Sequence, residues 1–357
     1  MKIIFSICSW GLGHSTRSLP IIRKLLSEGN ALTIISSGRS LELLKKEIGD
    51  QATYVDIPDY PMLLSENSRQ FIAKSLVYWP LFIKRMEEGL QALGRLLQRQ
   101  ECDLIVSDGR YDMYSKKIPS FFISHQMRIM NPLRITLLER GSETFNMFFF
   151  KRFKGIIIPD FKDDSYAGDL SHNLSKIDEN SLHYVGLLSD FKRTECTKDI
   201  DYFISLSGPE PQRSILEKKI IKQLDHLSGN IILTLGKTEM KETDLKQRIQ
   251  TYNFLSKDQR EDLLNRSKVV ISRSGYSTIS DLAVIGTKAL MIPTPGQVEQ
   301  EYLASFHHDK GTCVAIDQDK LDLNNDVKKI KNIKGFQGGY QVSKTVNAIL
   351  SLLNDVN

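Results

Sequence analysis

The sequence is poor in residues that staple or anchor a protein. Its 357 residues hold four cysteines, Cys8, Cys102, Cys196 and Cys313, scattered and without a Cys-x-x-Cys pair. That excludes a disulfide framework or a cysteine zinc site and fits reduced thiols in a cytoplasmic protein. No apolar run reaches the ~20 residues that span a bilayer. The opening MKIIFSICSW has one lysine and an apolar run too short for a signal peptide, so it reads as a first strand. A strong excess of one charge is also missing: 48 basic against 43 acidic residues leave +5. With no basic stripe interleaved with aromatics, nothing argues for nucleic acid. The mild excess permits contact with an anionic membrane without demanding it. Low-complexity tracts and short repeats are absent.

What is present is an alternation of strand and helix signals over a length that suits two domains. KIIFSIC, the glycine loop SWGLGH, an apolar-periodic helix and ALTIISSG form a βαβ opening, so the first half should be a parallel sheet flanked by helices. Gly11 and Gly13 permit a tight turn and close approach of a ligand. A dinucleotide fingerprint would need a third glycine and an acid after the second strand. Thr16 and ISSG stand there instead, which argues against a dehydrogenase. Residues 54–70 read as loop. The helix after them carries Ile72, Leu76, Trp79, Ile83, Met86, Leu90, Leu93 and Leu97 at helical spacing, with Pro80 expected to kink or restart it. CDLIVSDG and IPSFFISHQ are further strands, ending at Asp108 and at His125 and Gln126. Parallel strands share one carboxyl edge, so these residues should collect near His14. His14 is then a candidate general base, oriented by Asp108, although a histidine that merely satisfies the loop would look the same.

KGIIIPD is expected to be the last strand of the first domain. The boundaries read as 1–160 for that domain, 161–182 for a polar connection, 183–340 for the second domain and 341–357 for a closing helix. YFISLSGPEPQRSILEKKII repeats the N-terminal design, so two Rossmann-like domains stand in tandem. A glycine turn at Ser207 and Gly208 ahead of a helix can hold a diphosphate, and Arg213 can neutralise it, with Lys192 and Arg193 as competitors. Asp317 and Asp319 spell a D-x-D motif inside a solvated charge run and read as surface rather than metal ligands. The rest of the tail to Gly339 reads as charged and irregular.

The densest signal runs from Ser272 to Phe306. A β-branched strand closes at Ser274 and Gly275. Tyr276, Ser277 and Thr278 open a helix, for which Ser277 or Thr278 is the expected cap, with Asp281 about one turn in. ALMIP is a second buried strand, and Glu299 and Gln300 lie near the start of the next helix. Helix N-termini at strand ends suit a phosphate. Asp281 can accept two ribose hydroxyl protons, while Glu299 and Gln300 can bond sugar hydroxyls. A βαβ unit with no ligand would share the secondary structure but not this combination of residues.

This stretch resembles the donor-binding domain of MurG-like glycosyltransferases. The shared pattern is Gly275, Asp281, Gly286 to Pro293, and Glu299-Gln300, and the resemblance extends over most of the chain. It implies a GT-B fold with the active site in an interdomain cleft, a nucleotide-sugar donor (UDP-sugar foremost) in the second domain, and an acceptor and base in the first. It implies transfer with inversion, no metal and no cofactor, with backbone at Phe254 and Leu255 meeting the base. His125 and Gln126 occupy the place of a His-Glu-Gln-like turn, though the Glu is missing. The region of Trp79 would look toward a lipid-linked acceptor, leaving room for peripheral contact at the inner face of the membrane. Two other readings keep the fold: a nucleotide-sugar 2-epimerase, which needs more carboxylates than are evident, and a non-catalytic nucleotide-sugar-binding protein.

Overall fold

The structure, a computed structural model, describes residues 1–61, 68–131, 133–237 and 249–355, without side chains at 68–78. It divides into two compact units, residues 1–190 with 342–357 and residues 191–341.

The first unit is built on β1 (Lys2–Ile7), α1 (Gly13–Ser27), β2 (Ala31–Ser36), α2 (Gly38–Ile48), β3 (Thr53–Asp56), α3 (Ser68–Leu97), β4 (Leu104–Asp108), β5 (Ser120–Ile123), α4 (Thr136–Phe150), β6 (Gly155–Ile158) and β7 (Leu182–Tyr184). The strands form one parallel sheet in the order β3-β2-β1-β4-β5-β6-β7. β1, β4 and β5 are buried apolar runs, as the central strands of a doubly covered sheet must be.

Two expectations are corrected here. Residues 54–56 are strand rather than loop. At Pro80, of the two alternatives, the helix does not restart, since α3 is continuous through it. Ile72 and Leu76 lie outside the described side chains. β6 is not the last strand, because Leu182–Tyr184 pairs parallel with Ile156–Ile158. The expected connection at 161–182 therefore belongs to the first unit. It is tied down by Asp160, whose buried carboxylate accepts from the amides of Phe161, Tyr166 and Ala167.

The second unit holds β8 (Ile200–Ser205), α5 (Gln212–Ile221), β9 (Ile231–Thr234), β10 (Ile249–Tyr252), α6 (Lys257–Arg266), β11 (Ser267–Ser272), α7 (Tyr276–Ile285), β12 (Lys288–Met291), α8 (Val298–Asp309), β13 (Cys313–Ala315) and α9 (Leu323–Lys329). Its parallel sheet has the order β10-β9-β8-β11-β12-β13. The tail beyond α8 is more regular than its charge suggested, because β13 pairs with β12 and Leu321, Leu323 and Ile330 enter the core. The chain then returns to the first unit as α10 (Val342–Asn354), which buries Val346, Ile349, Leu350 and Leu353 with residues of β1 and α1.

Candidate functional site

In the first unit the register aligns Ile7, Asp108 and Ile123 across the carboxyl edge of β1, β4 and β5. Asp108 is therefore central and fully buried. The chain leaves β4 through Gly109, which has φ +76°, and a Cβ there would stand 2.9 Å from His14 Cε1. Only glycine fits, in backbone and in space. The loop before α1 is fixed from outside: Ser9 N–H donates to Asp59 Oδ2 at 2.5 Å and Trp10 Nε1 to the Tyr60 carbonyl at 2.8 Å.

This frame brings His14, Asp108 and His125 together, as expected, and adds a residue the sequence reading missed. His14 Nδ1 lies 2.8 Å from Asp108 Oδ1. Arg17, one turn along α1, donates through Nε to Asp108 Oδ2 at 2.9 Å and through Nη2 to Oδ1. Its Nη1 reaches His125 Nδ1 at 2.8 Å, and Nη2 stands 2.9 Å from His14 Nδ1. Ser18 Oγ also donates to Asp108, at 2.7 Å. Burial pushes the Asp108 pKa up, but the charge of Arg17 and then His14 outweighs it and holds the carboxyl far below its usual range. Of the three, only His14 reaches the surface, with 21% of its side chain exposed against 2% for Arg17 and 0% for Asp108. Gly11 (φ +86°) is exposed in the loop, and Gly13 opens α1. Gln126 is half-buried, its amide capped by Ser124 Oγ at 3.0 Å. Trp79 is half-exposed and joins Trp10 through a run of rings, Trp10 to Tyr60 to Phe82 to Trp79.

The second unit gathers its residues around Arg273, immediately after β11 and also absent from the expectations. Its guanidinium is buried and donates to the carbonyls of Ile292 (3.2 Å), Pro293 (3.0 Å) and Gln212 (3.0 Å) and to Gln318 Oε1 (2.6 Å), with the Ser207 carbonyl at 3.5 Å. It thereby ties together the loops after β8, β12 and β13. All five acceptors are neutral, and burial lowers its pKa to about 10, so it is still charged at neutral pH. The D-x-D segment contributes through its middle residue: Asp317 pairs with Lys320 on the surface while Gln318 turns in to Arg273.

α7 starts at Tyr276 with Gly275 as its N-cap and no side chain capping it. This corrects the expectation of a Ser277 or Thr278 cap; both lie inside the first turn, and Asp281 falls in the second, half-buried. Gly275 has φ −67°, and a Cβ there would meet nothing, so neither backbone nor packing requires glycine. Ser274 Oγ holds the carbonyl of Gln300 at 2.8 Å, with Glu299 half-buried beside it. The Gln300 amide is turned onto its own loop, accepting from Thr294 N–H at 3.0 Å and meeting Gln297. Thr294 Oγ1 is buried without a partner, 3.5 Å from where a Cβ on Gly208 would stand. Ser207 and Gly208 are exposed, as is Phe254, whereas Leu255 is buried.

Arg213 is corrected as a diphosphate ligand. Its donors are taken by Glu210, Glu217, the Leu235 carbonyl and Ser214, so it is a buried ion-pair residue. Its competitor Arg193 bonds the Gln337 carbonyl, and Gly338 next to it packs on Gly286 at the far end of α7. Ten helical residues put that about 15 Å from Gly275.

Comparison with known proteins gives a consistent result. Residues 209–344 match the Glycosyltransferase family 28 C-terminal domain. An uncharacterized glycosyltransferase of Methanosarcina acetivorans is 24% identical over 328 residues, 87% of this chain and 82% of its own. The UDP-N-acetylglucosamine–N-acetylmuramyl-(pentapeptide) pyrophosphoryl-undecaprenol N-acetylglucosamine transferase of Clostridium perfringens is 23% identical over 359 residues, 96% of this chain and 93% of its own. The crystal structure of Acinetobacter baumannii MurG superposes with a TM-score of 0.59 at 13% identity, covering 100% of both chains.

Proposed function

We infer that this chain, a MurG-like glycosyltransferase of the GT-B fold, moves a sugar from a nucleoside-diphosphate sugar to an acceptor hydroxyl with inversion and without a metal. The second unit holds the donor. The carrying observation is that its sheet edge presents an uncapped helix N-terminus at Gly275 beside a buried arginine with only neutral partners. Both favour the charge that develops on a leaving diphosphate. Thr294 Oγ1 and the Gly208 turn offer further polar contact, and Asp281 the ribose contact. In the first unit His14 takes the proton of the acceptor hydroxyl at Nε2, with Nδ1–H donating to Asp108. Asp108 orients the ring and stays ionised, as a carboxylate behind a histidine base should.

A UDP-sugar donor and a lipid-linked acceptor follow by analogy with the Clostridium relative. Exposed Leu133, Leu137, Phe148 and Trp79 beside exposed Arg140 and Lys151 support apolar and electrostatic contact with an anionic bilayer from the cytoplasmic side. Among the described residues no helix is long and apolar enough to cross a membrane.

The test is thermal denaturation against a panel of nucleoside diphosphates and their sugars, with and without magnesium. At a hundred times its Kd a ligand should stabilise by about 2.7 kcal/mol. One diphosphate and its sugars should raise the melting temperature whether or not magnesium is present. No shift with any of them would sink the donor site. Conversion of the sugar nucleotide to its 2-epimer without acceptor would overturn transfer as the reaction.

A further inference from the structure

The loop that leads to His14 is fastened from one short segment, residues 57–60 after β3. Every polar group of Ser9 is committed. Its N–H and its Oγ both donate to Asp59 Oδ2, at 2.5 and 3.0 Å, and its carbonyl accepts from Gly11 N–H at 2.8 Å. Trp10, next along, donates through Nε1 to the Tyr60 carbonyl at 2.8 Å and meets the Tyr60 ring edge-on at 5.3 Å. The same segment reaches the loop after β4. Tyr60 Oη donates to the Gly109 carbonyl at 2.7 Å, and Gly109 is the residue on which a Cβ would strike the His14 ring. Asp59 and Tyr60 thus grip both loops whose ends set His14 against Asp108.

The segment is itself held from inside by Arg110, which is fully buried. Its Nη1 donates to the Ile57 carbonyl at 2.7 Å, and its Nη2 to the Pro58 carbonyl at 3.3 Å and to Asp112 Oδ2 at 2.7 Å. Its Nε stands 3.2 Å from Asp59 Oδ1 as an ion pair. Among the described residues Asp59 Oδ1, though buried, has no hydrogen-bond donor. The carboxylate is turned so that its other oxygen takes both bonds from Ser9, and Oδ1 is left with charge pairing alone. A buried carboxylate acting only for stability would turn both oxygens onto the guanidinium within its reach. The orientation seen serves the loop.

We propose that Asp59 is a positioning residue for the base: anchored by Arg110 and acting through Ser9, it fixes the loop that holds His14 against Asp108. This rests on the reading of His14 as the base of the transfer. Asp59 is buried and meets no substrate, so its removal should slow the chemical step and spare the binding of the donor, which falls to the second unit.

The test pairs turnover with solvent exchange of the Trp10 indole proton in the full chain. Trp10 and Trp79 are the only tryptophans, so there are two indole N–H signals, and that of Trp10 is the one lost in Trp10→Phe. Turnover is the release of nucleoside diphosphate from the sugar nucleotide that stabilises the protein most, with water as the acceptor. In Asp59→Ala the Trp10 indole proton should exchange about tenfold faster or more. Turnover should fall about 10- to 100-fold with the donor KM unchanged. Asp59→Asn keeps an oxygen for Ser9 and should recover most of both. Ser9→Ala loses one of the two bonds and should show smaller changes in the same direction. Native exchange at Trp10 in a folded Asp59→Ala overturns the proposal, as does turnover that falls only in step with the folded fraction. Should that variant not fold, Ser9→Ala takes its place, and native exchange there overturns the proposal. Absence of turnover in the unaltered protein would count against the transferase reading and leave the Trp10 exchange to decide whether Asp59 holds the loop.

Discussion

Arg17 and Arg273 are both buried at the carboxyl edge of a parallel sheet, one in each unit, yet they end in opposite electrostatic states. Arg17 faces a carboxylate and is cancelled by it. Arg273 faces four backbone carbonyls and one amide oxygen, and its charge remains. Burying an ion without a counter-ion is costly, and satisfying its hydrogen bonds offsets only part of that cost. A protein that keeps such a cation in place gains a site that becomes more favourable when an anion arrives. The first site is balanced before any ligand binds and suits proton handling. The second is unbalanced and suits a diphosphate.

Three changes would break or sharpen this contrast. The largest effect should come from His14→Ala, which removes the half-buried side chain through which the balanced site reaches the surface. Turnover should fall about 10²- to 10⁴-fold with little change in melting temperature. Undiminished turnover would take His14 out of the mechanism. Next, Asp108→Ala removes the carboxylate that faces the buried Arg17, and should cost about 3–5 kcal/mol in urea denaturation. The sign with pH follows from the depressed pKa of Asp108. Its contribution is fully present above the ordinary aspartate value of ~3.9 and is lost as pH falls from there toward the lower folded value. The unaltered protein should therefore lose this part of its stability on acidification below about pH 4, and the variant should not. Coincident urea midpoints at pH 7 would refute the pairing. Smallest, Arg273→Met, which removes a buried charge whose hydrogen bonds all go to the protein, should weaken nucleoside-diphosphate binding about 10-fold by calorimetric titration, the scale of one unit charge acting without a direct bond. Arg273→Lys should recover part of it because the charge returns. Equal affinity in all three proteins would mean the cation only fastens the loops.

Much of the frame is legible in the sequence because buried parallel strands are continuous apolar runs. KIIFSI, LIVSD and KVVIS announce themselves, and their ends place Asp108 and Gly275 without a structure. β7 is not legible: three residues, a buried Leu and half-buried His and Tyr, carry no period, and only pairing to β6 makes them a strand. Arg213 misled because an arginine after a glycine turn suits an anion. The better signal was charge spacing, since Arg213 and Glu217 stand four apart on α5 and Glu210 lies just ahead of its start. Arg17 shares a helical face with His14, three residues before it on α1, but its carboxylate partner comes from β4, so charge spacing along the helix does not reveal it. Arg273 had no such marker. Four of its five partners are backbone carbonyls, from the loops after β8 and β12, and backbone acceptors leave no trace in side-chain identity.

The return of α10 to the first unit orders events in time. Val346, Ile349, Leu350 and Leu353 sit in the same core as Ile3 and Phe5, and α1 packs directly on α10. The entire second unit lies between them in the chain. As the chain leaves the ribosome, residues 191–341 can close their own core while the first unit still shows the apolar groove that α10 will fill. The half that carries His14 and Asp108 is begun first and completed last, and its final contacts carry the largest loop-closure entropy in the molecule.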